Sequence, residues 1–343
     1  HSYRMQRVKD LPLQGMHCIL HLRKRRYFCP HCKAVFQEKL SFLPRYQRNT
    51  KRLAAKILHD YGCEHSTASI ARRNGVSAGT AVRIFDRVSY PLPKLPRVLS
   101  IDEFKGNAGG RKYQCVLADP NKRKILDILP SKNSEDLIAY FLQFPLEKRK
   151  QVQYLVMDMS LQFRDVMTTC FPEAKVITDK FHVCRYVTWA LENVRKSEQK
   201  KFTDERRKYF KKSRWLILSR PGKLNEEQCL QLENMLSVSK KLRTAYWLKE
   251  KFYEFMDSKN IDEAKKNLAN WNLCVGVAPL EEFQKCFEII NRWQPYILRA
   301  FSLGYTNGFT EGSNNRIKVL KRNCYGVRNF KRFRNRILHM MAA

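Results

Sequence analysis

Three carboxylates in this chain of 343 residues occupy positions that suit metal-dependent chemistry. Asp102 lies inside the strand-forming run 97–104, Asp158 ends the apolar run 154–157, and Glu311 belongs to the polar segment 304–322. A carboxylate inside a core strand is costly unless it is paired or bound to a cation. Carboxylate oxygens bind Mg²⁺ or Mn²⁺, and two such ions in one active site activate a water or 3′-hydroxyl and stabilise the leaving oxygen of a phosphoryl transfer.

The residues around these carboxylates predict the elements that position them. Apolar runs at 97–104, 113–118 and 124–129 are separated by turn-forming residues, which predicts a three-stranded antiparallel meander. Further along the chain, the pattern predicts a helix at 134–144, a strand at 154–157, a helix at 161–170, a strand at 174–178 and a helix from Asp179. The order β-β-β-α-β-α-β-α is expected of an RNase H-like fold, an α/β class in which helices flank a mixed sheet.

In that fold the first and fourth strands are neighbours and the last helix packs across them. Asp102, Asp158 and Glu311 would therefore converge. On a helix, Glu311 shares one face with four polar or basic residues, and the apolar residues between them face a core. The residues of that face are Asn314, Asn315, Lys318 and Arg322. Lys318, Arg322 and Arg316 are candidates for contacts to DNA phosphates, and the alternative is a solvated helix face.

Two further polar residues follow the fifth predicted strand of this sheet. Asp179 and His182 either touch the site or the scissile phosphate, or serve as a helix N-cap and a packed core residue. Glu103 is excluded, because strand alternation turns it away from Asp102.

The charge of the whole chain indicates a polyanionic partner. There are 66 Lys and Arg against 32 Asp and Glu, which gives a net charge of +34, and such an excess points to nucleic acid. No apolar run approaches the roughly 18 residues of a membrane span, so a membrane protein is not expected. The absence of a signal-peptide pattern and an odd count of 11 cysteines favour the reducing cytoplasm.

Residues 66–87 carry a helix-turn-helix pattern. Ser66 can cap a first helix, Asn74 and Gly75 form the turn, and Ser77 can cap a recognition helix over 77–87. The predicted DNA-contacting residues are Ser77, Thr80, Arg83, Arg72 and Arg73. The alternative is an ordinary helical hairpin.

The N-terminal segment has the pattern of half a zinc ribbon. A predicted strand at 17–28 leads into Cys29-Pro30-His31-Cys32, which could ligate Zn²⁺ through Cys29 and Cys32. Tetrahedral zinc takes four ligands, and the first cysteine pair of a ribbon does not occur here. Either that pair lies upstream of His1, or the segment binds no metal.

The pattern divides the chain into five parts. Helical periodicity dominates residues 190–300, where 192–218 is predicted as one helix, and the Pro-rich stretch 90–96 marks a boundary. The predicted parts are a partial zinc ribbon (1–45), a helix-turn-helix domain (46–90), the first part of the catalytic core (91–190), an all-α insertion (191–300) and the last core helices with Glu311 (301–343).

Four motifs resemble a known family. They are Ile-Asp-Glu-Phe around Asp102, Val-Met-Asp-Met-Ser around Asp158, Thr-Asp-Lys-Phe-His-Val at 178–183 and Thr-Asn-Gly-Phe-Thr-Glu-Gly-Ser-Asn-Asn-Arg-Ile-Lys at 306–318. They resemble the DDE transposases of bacterial insertion sequences, of the ISL-three type. The resemblance implies DNA cleavage and strand transfer at the terminal inverted repeats of an element, with insertion into target DNA. It also implies that Asp102, Asp158 and Glu311 are the metal ligands, and that the protein acts beside the bacterial nucleoid.

A homodimer is expected, since joining two element ends takes two active sites. Two other functions remain open. One is a catalytically silent, transposase-derived regulator that binds DNA, and the other is a structure-selective nuclease of the same fold.

Overall fold

The computed structural model of the chain describes residues 2–63, 65–305 and 307–342. It divides into two compact units. The first unit contains the residues up to Leu95, Asp102–Tyr140 and the residues from Phe309 onwards, and the second contains Pro96–Ile101 and Phe141–Gly308. Each unit is therefore built from separated stretches of sequence.

The first unit begins with a small antiparallel sheet and three helices. The strand predicted at 17–28 is confirmed. It pairs with a strand that the sequence did not predict, because most residues of that strand are exposed and its apolar alternation is weak. The sheet order is β1-β2-β3. These elements are β1 Ser2–Leu13, β2 Met16–Phe28, β3 Val35–Gln37, α1 Lys51–Tyr61, α2 Thr67–Arg73 and α3 Ala78–Phe85.

Helices α2 and α3 form the predicted helix-turn-helix. The Ser66 side chain accepts a hydrogen bond from the Ser69 backbone N–H at 3.1 Å, and Ser77 accepts one from the Thr80 N–H at 3.2 Å. Such side-chain caps satisfy backbone donors that the first helical turn leaves without partners. The three helices enclose a small apolar core of Leu53, Ile57, Tyr61, Ile70, Ala71, Ala81, Ile84 and Phe85.

A five-stranded mixed sheet follows, in the order β6-β5-β4-β7-β8. Strands β5 and β6 pair antiparallel, whereas β4 pairs parallel with β7 and β7 pairs parallel with β8. The predicted mixed sheet and the predicted pairing of its first and fourth strands are confirmed. The elements are β4 Val98–Phe104, β5 Gln114–Asp119, β6 Lys124–Leu129, α4 Ser134–Phe141, α5 Leu146–Lys150, β7 Tyr154–Met157, α6 Leu161–Cys170 and β8 Lys175–Thr178.

The second unit continues as a helical bundle around an apolar core. The single helix predicted at 192–218 is wrong, because the chain breaks before Asp204 and again at Ser213. Acidic residues in the first turn favour a new helix start after Thr203. The helices are α7 Lys180–Gln199, α8 Asp204–Lys212, α9 Arg214–Leu218, α10 Glu226–Ser237, α11 Lys240–Met256, α12 Ile261–Val277 and α13 Glu281–Leu303, with a 3₁₀ turn at Pro221–Lys223.

Two C-terminal helices complete the first unit, α14 Gly308–Asn323 and α15 Phe330–Ala342. Their apolar sides share a core with Phe104 and Val116 of the first-unit strands. Among the residues that the structure describes, every helix is too short or too polar to cross a lipid bilayer.

Helix α15 also holds the helix-turn-helix. The Arg336 guanidinium, only 4% exposed, donates hydrogen bonds to the carbonyl oxygens of Tyr61, Cys63 (2.8 Å) and His65 (2.7 Å) after α1. Arg332 pairs with Asp86 at the end of α3 at 2.8 Å. Within the first unit, the helix-turn-helix is therefore packed against the last helix.

Candidate active site and nucleic-acid interface

Strand β4 carries Asp102 into the core of the first unit, where the residue is 7% exposed. Its Oδ1 accepts a hydrogen bond from the Glu103 backbone N–H at 2.8 Å, and its Oδ2 accepts one from Asn314 Nδ2 at 2.8 Å. Donors of this kind stabilise the charged form of a carboxylate that burial would otherwise disfavour.

Glu103, the next residue of the strand, has a different partner. Its Oε2 lies 2.8 Å from Lys132 Nζ. This hydrogen bond, which Lys132 donates to the Glu103 carboxylate, raises the pKa of the Lys132 ammonium above its ordinary value. The ion pair agrees with the exclusion of Glu103 from the predicted site.

Helix α14 presents Glu311 between a buried stripe and an exposed face. Ile317 and Leu320 are fully buried, as predicted, and Glu311 is half-buried. The exposed face includes the predicted phosphate-contacting residues Arg316, Lys318 and Arg322, together with Asn315. Asn314, predicted on the same face as Glu311, is 5% exposed and lies at the border of the buried stripe.

The hydrogen bond from Asn314 to Asp102 joins residues 212 positions apart in the chain. Residues three apart on a helix are neighbours, about 5–6 Å between their Cβ atoms. Glu311 precedes Asn314 by three positions. Within the first unit, the structure therefore brings the helix of Glu311 against the strand of Asp102.

Asp158 follows β7 in the second unit and is half-buried. Its Oδ1 accepts a hydrogen bond from the Ser160 backbone N–H at 3.2 Å. The Ser160 side chain in turn caps α6 by accepting from the Phe163 N–H at 3.3 Å. This local turn fixes the carboxylate at the C-terminal end of its strand, as predicted.

Asp179, only 4% exposed, organises the chain between β8 and α7. Its Oδ1 accepts a hydrogen bond from the Asn307 backbone N–H at 3.2 Å, and its Oδ2 accepts one from His182 Nδ1 at 3.1 Å. Asp179 occupies the N-cap position of α7, but its side chain makes no capping hydrogen bond. Its carboxylate instead holds the segment that leads into α14.

Asn307 extends this network within the second unit. The residue is 1% exposed, and its Oδ1 accepts a hydrogen bond from the Ser100 hydroxyl of β4. His182 is half-buried rather than part of the apolar core. Asp179 and Asn307 therefore fix the residues immediately before the helix of Glu311.

The cysteine pair after β2 has half of a zinc ligand set. Cys29 and Cys32 are free thiols. Hydrogen bonds from Cys32 lower the pKa of the Cys29 thiol, which favours the thiolate that zinc binds. Nowhere in the described chain do three or more His, Cys, Asp or Glu side chains form a group that could hold a metal ion.

The predicted DNA-contacting residues lie on the helix-turn-helix. Ser77 and Arg83 are exposed on α3, and Arg83 Nη2 donates a hydrogen bond to Thr80 Oγ1 at 3.1 Å. Arg72 and Arg73 are exposed at the end of α2. The opposite side of α3 is buried against α1 and α2, so the polar side is the one that can meet a ligand.

Comparison with known families agrees with this arrangement. A family model described as Transposase, of the ISL3 type, matches residues 99–337, which is well over half of the chain. The chain belongs to this transposase family. Two further models of transposases match its N-terminal part. The helix-turn-helix domain of transposase family ISL3 matches residues 38–89, and the zinc-finger of transposase IS204/IS1001/IS1096/IS1165 matches residues 1–32.

Individual transposases are also similar to the chain. The transposase for insertion sequence element IS1001 of Bordetella parapertussis is 28% identical over 97% of this chain and 84% of its own length. The transposase for insertion sequence element IS1557 of Mycobacterium tuberculosis, from strains CDC 1551 and H37Rv, is 24% identical over 68% of this chain and 57% of its own length.

Sequence reasoning missed three polar residues in the hydrogen-bond networks that include the carboxylates of this transposase. Asn314 was assigned only to a helix face, and Asn307 and Ser100 were not singled out. The signal for both asparagines was present, because they lie in the polar motif that contains Glu311. Helical spacing predicts which residues lie on the same face of a helix. It does not predict that Asn314 donates a hydrogen bond to Asp102, which lies 212 positions earlier in the chain.

Proposed function

We propose that this transposase is catalytically active, and that Asp102, Asp158 and Glu311 form the DDE triad that cleaves DNA at the ends of its element and joins them to a target. The observation that carries the proposal is the hydrogen bond from Asn314 to Asp102. It supports a role for Glu311 beside Asp102, because Glu311 lies one helical turn from Asn314.

The order of the strands supports an RNase H-like core. The sheet order β6-β5-β4-β7-β8 and the parallel pairing of β4 with β7 are the relations expected of that fold. The pairing ends at Ser100 and Val156, and each catalytic aspartate follows its own paired residue by two positions. The two aspartates therefore occupy equivalent positions relative to the last paired residues of their strands.

The donor atoms of these residues are of the type that a hard divalent cation takes, since carboxylate oxygens are the ligands of Mg²⁺ and Mn²⁺. Asp102, Asp158 and Glu311 would hold two such ions. When bound, these ions supply activation of a water or 3′-hydroxyl and stabilisation of the leaving oxygen. In the N-terminal segment, Cys29 and Cys32 would contribute thiolates to a Zn²⁺ ion.

The protein side chains orient the triad and the substrate. Asn314 fixes the rotamer of Asp102 through its hydrogen bond, and Asp179 fixes the approach to α14 through the Asn307 backbone. The exposed basic residues of α14, Arg316, Lys318 and Arg322, contact phosphates that flank the scissile bond. His182, paired with Asp179, orients that carboxylate.

The helix-turn-helix supplies recognition of the terminal inverted repeats. The polar side of α3, with Ser77, Thr80 and Arg83, enters the major groove, and Arg72 and Arg73 contact the backbone. The transposase acts as a homodimer, because two ends are joined and each needs an active site.

The test is Mg²⁺-dependent cleavage of a duplex that carries one end of the element. Asp158→Asn is expected to lower the cleavage rate by more than about 100-fold, which exceeds the loss from a residue that only supports a metal ligand. The control is Asp165→Asn, an exposed aspartate on the next helix. DNA binding measured in parallel should be unchanged in both variants.

Three outcomes separate the alternatives. Equal cleavage by wild type and Asp158→Asn removes the catalytic role of Asp158. DNA binding without cleavage by the wild-type protein supports the silent regulator. Cleavage that an excess of random duplex competes away indicates a nuclease without specificity for element ends.

A further inference from the structure

The first two strands form a two-stranded ribbon with one basic, exposed face. Arg7 pairs with His21 and Lys9 pairs with Ile19. Because successive side chains of a strand alternate between faces, these residues share one face with further residues of the ribbon. All eight members of this ribbon face are exposed: Tyr3, Met5, Arg7, Lys9, Ile19, His21, Arg23 and Arg25.

Both faces of the ribbon contact the helix-turn-helix domain, the opposite face through Asp10 and the ribbon face through Lys9. Asp10, 2% exposed, accepts hydrogen bonds at 2.7 Å from Thr50 Oγ1 and from Arg52 Nε. Lys9 Nζ donates to the Gly75 carbonyl at 2.5 Å, and His17 Nε2 donates to the Arg72 carbonyl at 3.0 Å. The ribbon therefore packs against both the start of α1 and the turn before α3.

A groove of about 650 Å³ separates the ribbon from the recognition helix. Arg7 and Lys9 line its ribbon side, Arg83 and Arg87 line its helix side, and Arg48 comes from the connecting segment. The residues that line it include no Asp or Glu. Tyr46, which is 86% exposed, also lines the groove and packs against the Arg45 guanidinium.

The basic side chains of the groove and the ribbon face are not balanced by acidic side chains on that face of the ribbon. Strands β1 and β2 contain one acidic residue, Asp10, and it is buried on the opposite face. A groove with five cationic side chains and an exposed aromatic ring has the chemistry that binds a phosphodiester backbone. The recognition helix forms one wall of this groove, so a duplex bound by α3 would bring a phosphate backbone to the ribbon.

We propose that the exposed ribbon face of β1 and β2 is a second DNA-binding element, which contacts the phosphate backbone of the duplex held by α3. The ribbon and the recognition helix then bind DNA as one surface, with one strand of the duplex in the basic groove. The inference rests on the proposed function in that duplex DNA is the ligand. Beyond the proposed function, the inference adds a contact between the β1–β2 ribbon and the DNA backbone, outside the helix-turn-helix.

The test compares two double variants of the full chain with the same loss of charge on the same two strands. Arg7→Ala with Arg23→Ala removes two arginines from the ribbon face, and Arg4→Ala with Arg26→Ala removes two exposed arginines from the opposite face. The probe is a fluorescently labelled mixed-sequence duplex, and its affinity is measured over a series of salt concentrations.

Loss of two phosphate contacts is expected to reduce the slope of log affinity against log salt by about 2 in the first variant, and the control should keep the wild-type slope. An equal change in both variants reflects total charge and overturns the inference. Melting curves verify folding. If the alanine variant does not fold, the matched pairs Arg7→Gln with Arg23→Gln and Arg4→Gln with Arg26→Gln are measured instead.

Arg83→Ala separates this inference from the proposed function. If Arg83→Ala weakens binding and the ribbon variant does not, the helix alone contacts DNA, so the ribbon proposal fails and the proposed function stands. If neither changes the affinity, DNA binding by the helix-turn-helix fails as well.

Discussion

Asn314 is the side chain whose role can be tested most directly. It is buried and donates a hydrogen bond to Asp102, the carboxylate of β4. Asn314→Ala removes this donor, and a hydrogen bond to a charged group contributes roughly 1.5–3 kcal/mol. We expect cleavage to fall by roughly 10-fold to 100-fold, as for other residues that orient a ligand.

Asn315→Ala is the matched control, since Asn315 is the exposed neighbour on the same helix. Single-turnover cleavage and thermal unfolding would be measured for both variants. If Asn314→Ala cleaves DNA as fast as Asn315→Ala, Asn314 has no positioning role.

The lowered pKa of the Asp10 carboxyl allows a prediction of how the stability of the first unit depends on pH. Hydrogen bonds from Arg52 and Thr50 hold the pKa of the Asp10 carboxyl well below its ordinary value, although burial opposes this. Because the folded pKa lies below the unfolded value, the stabilisation is present above the unfolded pKa of about 3.9 and is lost as the pH falls through the folded pKa.

Asp10→Asn should therefore unfold at a lower temperature than wild type at pH 7, and the difference should shrink below about pH 4. Melting curves over a pH series measure this. The exposed Asp165→Asn serves as control, and a difference that stays constant down to pH 3 would contradict the assignment.

At the scale of elements, helix α15 contacts the helix-turn-helix through arginine side chains. Arg336 donates hydrogen bonds to the carbonyl oxygens of Tyr61, the last residue of α1, and of Cys63 and His65 after it. Arg336→Met keeps the apolar part of the side chain and leaves these acceptors, among them the buried carbonyl of Tyr61, without their donor, at a cost of about 3 kcal/mol. We expect a lower melting temperature and faster hydrogen exchange at residues 61–65.

Lys331→Met is the control for this substitution, because Lys331 is exposed on the same helix. Hydrogen exchange followed by mass spectrometry distinguishes local release of the segment after α1 from global unfolding. Unchanged exchange at residues 61–65 in Arg336→Met would mean that α15 does not hold that segment.

The sequence predicted the elements whose patterns are local. Strands β2, β6 and β7 and helices α2 and α6 lie where apolar periodicity, caps and turn residues place them. The sequence did not predict β1, because most of that strand is exposed. It also did not predict the breaks between α7, α8 and α9, because charged residues typical of helices continue through both breaks.

The candidate site was predictable in its carboxylates but not in their support. Asp102 and Asp158 could be identified because each is an acidic residue within or directly after an apolar strand, which is a local signal. The partners of Asp102 and Asp179 are Asn314 and the Asn307 backbone, and both bonds join residues more than a hundred positions apart. Such pairing is decided by tertiary packing, which a single sequence does not reveal.

The whole molecule carries a charge of +34, and this charge sets its response to salt. If 6–10 phosphates are contacted, DNA affinity should fall by about 10³-fold to 10⁵-fold between 50 and 200 mM salt, because bound counterions are released from the DNA. Fluorescence anisotropy with a labelled duplex measures the slope. A flat affinity over this range would contradict extensive phosphate contact.

The arginine contacts of α15 also constrain how the protein is made. The carbonyl oxygens that Arg336 binds lie more than 270 positions earlier in the chain. On the ribosome, the helix-turn-helix emerges long before the helix that holds it is synthesised, so a nascent chain exposes that docking surface until translation reaches α15. A product of early termination would keep the helix-turn-helix sequence and lack its support, which makes such fragments candidates for rapid proteolysis in the cell.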